Sequence, residues 1–242
     1  MTGRDTATAG TALLTYYDAT TGERTALTAD QLGDWTAATA ALLTDGCGLR
    51  PGSRAAVLLP PHWQTAAVLL GAWAAGVEVD YRGWATAGLS GGGGTYDATF
   101  VSAGRVGSWL DDVPDGKHRF VLGLEPHGAP AASVPDGYRD YLAELHPYAT
   151  ADRPHVLAGD GDAASVDGTT YREWGDIATA IAARAGIGPG DRVLVDASEH
   201  EQPVQWLLAP LSVGASIVLH AGGLDPAARA GFAAAERVTR VL

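Results

Sequence analysis

The sequence has one cysteine, and this scarcity excludes two kinds of site. A single thiol cannot form an intrachain disulfide, and a cysteine metal cluster cannot be built around it. Cys47 lies in the turn Asp45-Gly46-Cys47-Gly48, where no neighbouring side chain offers the base that a catalytic thiol needs. We therefore interpret Cys47 as structural and predict a cytoplasmic protein.

Positive charge and long apolar runs are also scarce. There are 16 Lys and Arg against 28 Asp and Glu, and the net charge of −12 argues against nucleic acids and anionic membrane surfaces as partners. The longest apolar run, residues 66–77, is well short of the about 20 residues that span a bilayer. The opening residues MTGRDTATAG lack an apolar core, so we expect no signal peptide.

What the chain does contain is an apparent internal repeat at an offset of 138 residues. The motif Pro51-Gly52-Ser53-Arg54 corresponds at this offset to Pro189-Gly190-Asp191-Arg192. Further pairs at the same offset are Val57 with Val195, His62 with His200, Leu69-Leu70 with Leu207-Leu208, and Gly76 with Gly214. Chance similarity in a chain rich in alanine and glycine is the alternative interpretation.

Each copy predicts the same order of elements. A helix that ends at glycine is followed by a Pro-Gly turn, a short apolar strand, a second helix that ends at Gly76 or Gly214, and another strand. Asp30 and Thr170 are the predicted N-caps of the two leading helices. This order predicts an α/β fold of two repeated lobes with mostly parallel sheets flanked by helices.

The predicted organisation is a single domain over residues 1–242. Lobe one covers about 11–125, a connection 126–152, and lobe two about 153–225. Strands are also expected at residues 97–102 and 119–124. A final helix over 226–242 is expected to begin after Asp225 as its N-cap.

The helix–Pro-Gly–strand unit resembles the opening of AMP-binding, adenylate-forming enzymes, which include acyl-CoA synthetases, luciferases and nonribosomal adenylation domains. In that family an L-T-Y-x-E-L element and a helix precede G-x-x-P-G-D-x-V. Residues 27–32 and 51–57 fit this pattern, residues 69–77 fit the later L-L-x-x-x-K-A-G-A, and residues 187–194 with 214–219 fit the family's later stretch. The resemblance covers roughly residues 11–225 and implies a truncated relative with the family's N-terminal subdomains.

The phosphate loop of that family, S-G-T-T-G-x-P-K-G, has only a partial counterpart here. Gly168, Thr169 and Thr170 match part of it, and the resemblance implies ATP or AMP as the cofactor that these residues would bind. The second glycine, the proline and the lysine are absent, and Asp167 and Glu173 carry the wrong charge for phosphate. A plain turn before a helix is the alternative.

Other motifs give weaker indications. The seven histidines show no metal-ligand spacing, and surface or loop positions are expected for His62 and His200. The acidic pairs Asp111-Asp112 and Asp160-Gly161-Asp162 are interpreted as solvated turns. The family's motifs for adenine, ribose and the catalytic lysine are not matched, so no catalytic residue can be assigned.

The sequence therefore favours a non-catalytic relative that acts as a binding or interaction module. Two alternatives stay open: a residual nucleotide or acyl-adenylate binder that works with a partner chain, and a small acid-activating enzyme with a new site. A homodimer or a protein partner is expected, with tryptophans at the interface. The alternative is that these rings fill the core, where alanine-rich helices leave space for large neighbours. The candidate tryptophans are Trp63, Trp73, Trp84, Trp109 and Trp206.

Overall fold

The computed structural model describes residues 11–84, 94–108, 113–152 and 158–242. Its strands are β1 (Leu14–Asp18), β2 (Glu23–Leu27), β3 (Arg54–Leu58), β4 (Glu78–Tyr81), β5 (Tyr96–Ser102), β6 (Gly116–Leu122), β7 (Arg139–Asp140), β8 (Arg192–Asp196), β9 (Ser216–Ala221) and β10 (Arg240–Val241). Its α-helices are α1 (Ala29–Ala41), α2 (Trp63–Ala74), α3 (Tyr141–Leu145), α4 (Tyr171–Ala185), α5 (Ala209–Ser212) and α6 (Pro226–Ala235). A turn of π-helix extends α1 over Leu42–Gly46, and another precedes α5 over Val204–Leu208.

These strands form two five-stranded sheets. One sheet has the order β10-β8-β9-β1-β2, and the other has the order β4-β3-β5-β6-β7. Every neighbouring pair is parallel except β1 with β2, which is an antiparallel hairpin. The predicted α/β class, with mostly parallel sheets flanked by helices, is confirmed.

Sheet membership does not follow the order of the chain. Strands β1 and β2 fall inside the predicted lobe one, yet β1 pairs with β9 of the predicted lobe two, Leu14 opposite Ile217. The expected connection over 126–152 supplies β7, which joins the sheet beside β6. The expected final helix stops at Ala235, and the chain then adds β10 beside β8. Non-local strand pairing leaves no local pattern in a sequence, which is why these memberships were not predicted.

The N-caps explain where the two leading helices begin. The predicted cap of α1 at Asp30 is wrong, because the Thr28 hydroxyl accepts the backbone N–H of Gln31 and the Gln31 side chain accepts the N–H of Thr28. This reciprocal capping box satisfies two helix donors that a carboxylate at Asp30, already inside the first turn, could not. Thr170 caps α4 through the same kind of box with Glu173, as predicted.

We call residues 29–81 the first unit and residues 171–221 the second unit. In the first, the N–H of Gly52 donates to the carbonyl of Gly76 at 2.9 Å; in the second, the N–H of Gly190 donates to Gly214 at 3.2 Å. All four glycines have φ between +73° and +85°, a conformation that other residues adopt only at a cost. The two units therefore share local turn geometry, while their origin by duplication stays a prediction.

One continuous core joins the two sheets through the helices between them. Phe100 and Phe120 stack with ring centroids 5.0 Å apart, and the buried Tyr141 ring stands edge-on to Phe100. The Tyr141 hydroxyl lies 2.6 Å from the Thr39 hydroxyl of α1, so this buried polar group has a partner. In this core α1 packs on α2 and contacts β2, and α2 contacts β1 of one sheet and β4 of the other, whereas α4 buries Ala178 and Ala182 and lies closer to the surface.

Within the residues that the structure describes, no helix has the length and apolar character needed to cross a membrane.

Candidate functional site

The segment that leads into α4 carries the residues that the sequence singled out for phosphate. Its three backbone donors are used internally: the N–H of Gly168 donates to the Ser165 carbonyl, that of Thr169 to Asp167, and that of Thr170 to the Glu173 carboxylate. These hydrogen bonds measure 2.8 to 3.0 Å. The segment is a closed turn, and its amides do not converge on an empty position where a phosphate would sit.

Two carboxylates already occupy the electropositive start of α4. The backbone N–H of Thr169 holds the pKa of Asp167 below its usual value, and the backbone N–H and hydroxyl of Thr170 do the same for Glu173. Both groups are therefore ionised at neutral pH. A helix N-terminus attracts anions, and here its own side chains supply them.

A cavity of about 590 Å³ opens beside this segment. Its walls come from the starts of β3 and β5, the end of β4, the segment before α4, and the residues that precede α5. The lining residues are Arg54, Trp73, Val79, Asp80, Tyr81, Gly94, Tyr96, Ser165, Val166, Asp167, Trp174, Gln202, Pro203, Val204 and Leu208. Gly168, Thr169 and Thr170 are not among them, so the structure places the sequence-predicted residues next to the cavity but outside its lining.

A polar network forms one wall of this cavity. Asp80 accepts hydrogen bonds from Arg82 at 2.9–3.0 Å and from the Tyr96 hydroxyl, while Arg82 also donates to that hydroxyl at 3.0 Å. Burial opposes the charge of Arg82, but the hydrogen bond and charge of Asp80 outweigh it and raise the pKa of Arg82. Burial, together with Asp80, raises the pKa of Tyr96. The negative charge of Asp80 is therefore balanced by Arg82.

Arg54 enters the cavity from the start of β3. Its guanidinium carbon lies 5.6 Å from the centre of the Tyr96 ring, within the range of a cation–π contact. Among the described residues its guanidinium pairs with no carboxylate. The Asp97 carboxylate accepts the backbone N–H of Arg54 and forms its ion pair with Lys117. Arg54 therefore brings a positive charge into the cavity.

A second buried polar cluster lies between the sheets, away from this cavity. One oxygen of Glu23 accepts the indole N–H of Trp63, the hydroxyl of Thr25 and the backbone N–H of His127. Burial by itself raises the pKa of Glu23, but His62, Thr25 and His127 outweigh it and lower the pKa to about 2. The cluster ties β2, α2 and the loop after β6 together.

His62 belongs to this cluster, and its expected surface or loop environment is wrong. The side chain is buried, its Nδ1 accepts the backbone N–H of Gln64 at the start of α2, and its Nε2 lies 3.8 Å from Glu23. Desolvation lowers the pKa of His62, so the ring is neutral and serves as a helix cap. Within the described ranges, no group of three His, Cys, Asp or Glu residues is placed to hold a metal ion.

The remaining sequence predictions have mixed outcomes. Cys47 is half-buried, burial raises the pKa of its thiol, and Arg139 donates to its sulfur, which agrees with a structural role. Asp162 accepts the N–H of Gly159 and so forms a turn of its own. The pair Asp111-Asp112 lies outside the described residues. The cavity residues Arg54, Asp80 and Tyr96 were not predicted as a site, because they come from three strands that only the sheet brings together.

Comparison with individual known proteins, and not with models of protein families, finds a relative of the chain. No model of a known protein family matches the sequence. A TIGR03089 family protein of Mycobacterium tuberculosis (strain ATCC 25618 / H37Rv) is 36% identical over 237 residues, which cover 95% of this chain and 90% of that protein. At this identity and coverage the two proteins share a fold over nearly their whole lengths.

Solved structures extend the comparison to larger enzymes. An acyl-CoA synthetase from Brucella canis superposes with a TM-score of 0.71 at 19% identity, covering 98% of this chain and 45% of that one. Acetoacetyl-CoA synthetase from Streptomyces lividans gives 0.66 at 19% identity, covering 94% and 38%, and the N-terminal domain of FACL13 from Mycobacterium tuberculosis gives 0.63 at 19%, covering 93% and 57%. The chain spans less than two thirds of each of these structures. The resemblance to the N-terminal part of adenylate-forming enzymes is confirmed for the fold.

Proposed function

The chain belongs to the TIGR03089 family, and we propose that it is a binding module with the adenylate-forming fold that does not itself activate carboxylates. The observation that carries this proposal is the closed turn before α4. There the amides of Gly168, Thr169 and Thr170 are bound to Ser165, Asp167 and Glu173.

The physical argument concerns charge and unused donors. Stabilising a triphosphate needs several N–H groups free to point at its oxygens, together with a cation that offsets its charge. Here the N–H groups are occupied, and the nearest side-chain charges are the ionised carboxylates of Asp167 and Glu173. A phosphate at this position would have to displace both carboxylates and would meet their repulsion.

The test is ATP–pyrophosphate exchange by the purified protein with a panel of carboxylates. We expect no exchange above background. The variant to assay beside it is Thr169→Val, which removes a hydroxyl from the residues that match the phosphate motif and leaves the cap residue Thr170 in place. Robust exchange by the natural protein that this variant abolishes, at an unchanged melting temperature, would overturn the proposal.

A second candidate is a nucleotide or acyl-adenylate binder that works with a partner chain. The cavity of about 590 Å³ favours it, because this volume lies within the range of small-molecule sites. Trp73, Tyr81, Tyr96 and Trp174 give that cavity aromatic walls. Thermal shifts with ATP, AMP, CoA and a non-hydrolysable acyl-adenylate mimic test it, since a ligand present at about 100 times its Kd adds about 2.7 kcal/mol to the free energy of unfolding. A flat response to all four would exclude it.

The proposal includes a cytoplasmic location and association with a second copy or a protein partner. Trp63 and Trp206 are buried in the core and are therefore excluded as interface residues, whereas Trp84 is 40% exposed. Trp73 is half-buried in a cavity wall, and Trp109 lies outside the described residues. Light scattering at tens of micromolar tests association, and a monomer both alone and in cell extract would contradict it.

A further inference from the structure

A cavity of about 240 Å³ lies between α1 and α3 and shares no lining residue with the cavity of about 590 Å³ beside α4. One wall comes from α1, and the other comes from α3 and the residues that follow it. This cavity is therefore a separate place on the molecule, which the proposed function does not use.

The size of this cavity limits its ligand. Drug-sized molecules and cofactors occupy cavities of about 300–1,000 Å³, and this cavity lies below that range. A ligand with one ring or a short chain fits the space, whereas a nucleotide does not.

Apolar side chains make most of the lining. Leu145 is buried, Trp35 and Leu142 are partly buried, and all three contribute apolar surface to the cavity. The Trp35 ring stands edge-on to the buried ring of Trp63, with the ring centroids 5.2 Å apart. This contact favours one orientation of the Trp35 ring. The cavity therefore offers a ligand a preorganised aromatic and aliphatic wall.

The charge of the lining favours a cation. Asp34 is an exposed carboxylate that lines the cavity, and among the described residues it pairs with no basic side chain. The other acidic residue of α1 is Asp30, one turn earlier, and α1 contains no basic residue. On the α3 side, Glu144 is already paired with Arg139 at 2.7 Å. The other titratable group that lines the cavity is His146, which carries no charge once its imidazole is deprotonated. A cation bound here would therefore meet Asp34 without displacing an existing partner.

We propose that this cavity binds small arylalkylamines. The aromatic ring of the ligand packs against Trp35, Leu142 and Leu145, and its ammonium group pairs with Asp34 at the solvent-facing rim. This site goes beyond the proposed function, because it lies apart from the turn before α4. The presence or absence of carboxylate activation therefore has no bearing on it.

Ligand-observed NMR titrations at about pH 8, above the range in which an imidazole usually takes up its proton, test the ligand class. Phenethylamine, 2-phenylethanol and 3-phenylpropionate share an apolar body and differ in charge. Phenethylamine should bind about threefold more tightly than 2-phenylethanol, because an exposed ion pair contributes little, and 3-phenylpropionate should bind most weakly. Butylamine keeps the ammonium group and lacks the ring. It should bind on the order of tenfold more weakly than phenethylamine, because it buries less apolar surface.

Two pairs of variants assign the binding to this cavity. Asp34→Asn should abolish the preference for phenethylamine over 2-phenylethanol, whereas Asp176→Asn, which removes an exposed carboxylate of α4, should keep it. Ala149→Leu enlarges a side chain at an exposed position of the lining and should weaken the binding of both ligands by the same factor. Ala143→Leu is the matched change at an exposed position of α3 outside the lining, and it should affect neither ligand.

Melting temperatures establish that each variant is folded before its titration. Equal affinity of the natural protein for phenethylamine and 2-phenylethanol would refute the role of charge, and a preference that survives Asp34→Asn would refute the role of Asp34. Binding that Ala149→Leu leaves unchanged would place the amine elsewhere and overturn the site. Light scattering on the same samples tests the other occupant: a dimer that Ala149→Leu converts to a monomer would assign the cavity to a second copy of the chain and overturn the proposal.

Discussion

The first and second units share an order of elements but use their helices differently. In the first unit, α2 is a regular 12-residue helix with most of its residues buried, and α1 buries Leu32 and residues 37–40. In the second, α4 buries only Ala178 and Ala182, and the equivalent of α2 begins with a π turn and keeps 4 α-helical residues. A π turn often marks a functional site; the first unit has one at Leu42–Gly46, but it is the π turn of the second unit that lines the cavity of about 590 Å³, through Val204 and Leu208.

The difference suggests a division of roles between the units. The first unit provides the buried contact between α1 and α2, and its strands β3 and β4 supply one wall of the cavity. The second unit provides one side of a cavity, where a regular, fully packed helix pair would leave no room. The predictions below test whether stability resides in the first unit and adaptability in the second.

The largest effect is expected at the contact between α1 and α2. A Cβ at Gly71 would lie 2.4 Å from the Cβ of Thr39 and 3.1 Å from the Thr36 carbonyl, so one of the helices must move. Gly71→Ala should reduce the free energy of unfolding by about 3 kcal/mol, the upper end of the range for overpacking. Gly175→Ala is the matched change in α4, where the Cβ meets open space, and should stabilise by about 0.5–1 kcal/mol. Urea unfolding measures both, and equal effects would remove the distinction between the units.

The next effect concerns Glu23, which anchors the first unit to β2. Its pKa is lowered from 4.5 to about 2 in the folded state, so its contribution to stability is complete above pH 4.5 and is lost as the pH falls towards 2. Glu23→Gln should reduce the free energy of unfolding by on the order of 2 kcal/mol at neutral pH, and the difference should vanish near the lower pKa. Glu199→Gln, in an exposed and long ion pair with Arg229, is the control and should cost almost nothing. If Glu23→Gln lowers the free energy of unfolding by the same amount at low pH, the charge of Glu23 is not what stabilises the fold.

The sequence predicted local structure well because local structure is encoded locally. The Pro-Gly turns, the glycines that end helices, and the caps Thr170 and Asp225 all act within a few residues of their own position. The predicted cap at Asp30 is wrong because an acidic residue in a first turn and a cap give similar sequence patterns, and only the side-chain hydrogen bonds identify Thr28 as the cap.

The candidate site could not be predicted for the opposite reason. The sequence places Arg54 in a Pro-Gly turn motif, and nothing near it in the sequence indicates that Tyr96 and Asp80 become its neighbours. The buried environment of Glu23 depends on a hairpin that joins a sheet with strands about two hundred residues away. The residues that match the phosphate motif, Gly168, Thr169 and Thr170, lie beside the cavity and do not line it.

The smallest effect is expected for the pH dependence of the two capping boxes, because one contains the neutral Gln31 and the other the charged Glu173. Thr28→Ala and Thr170→Ala should each cost about 1 kcal/mol at neutral pH, because each leaves a helix N–H without its hydroxyl acceptor. The partner of Thr28 is the neutral Gln31, whereas the partner of Thr170 is Glu173, whose pKa is lowered by the backbone N–H and hydroxyl of Thr170. Because the pKa of Glu173 is lowered in the folded state, its interaction with Thr170 is complete above the ordinary pKa of 4.5 and is lost as the pH falls below that value.

The cost of Thr170→Ala should therefore shrink on acidification while that of Thr28→Ala stays constant, as measured by urea unfolding at neutral pH and near pH 3.5. If both costs shrink together, acid weakens the whole fold and the two boxes are equivalent; if neither does, Glu173 is not part of the cap in solution, and the start of α4 is open to an anion after all.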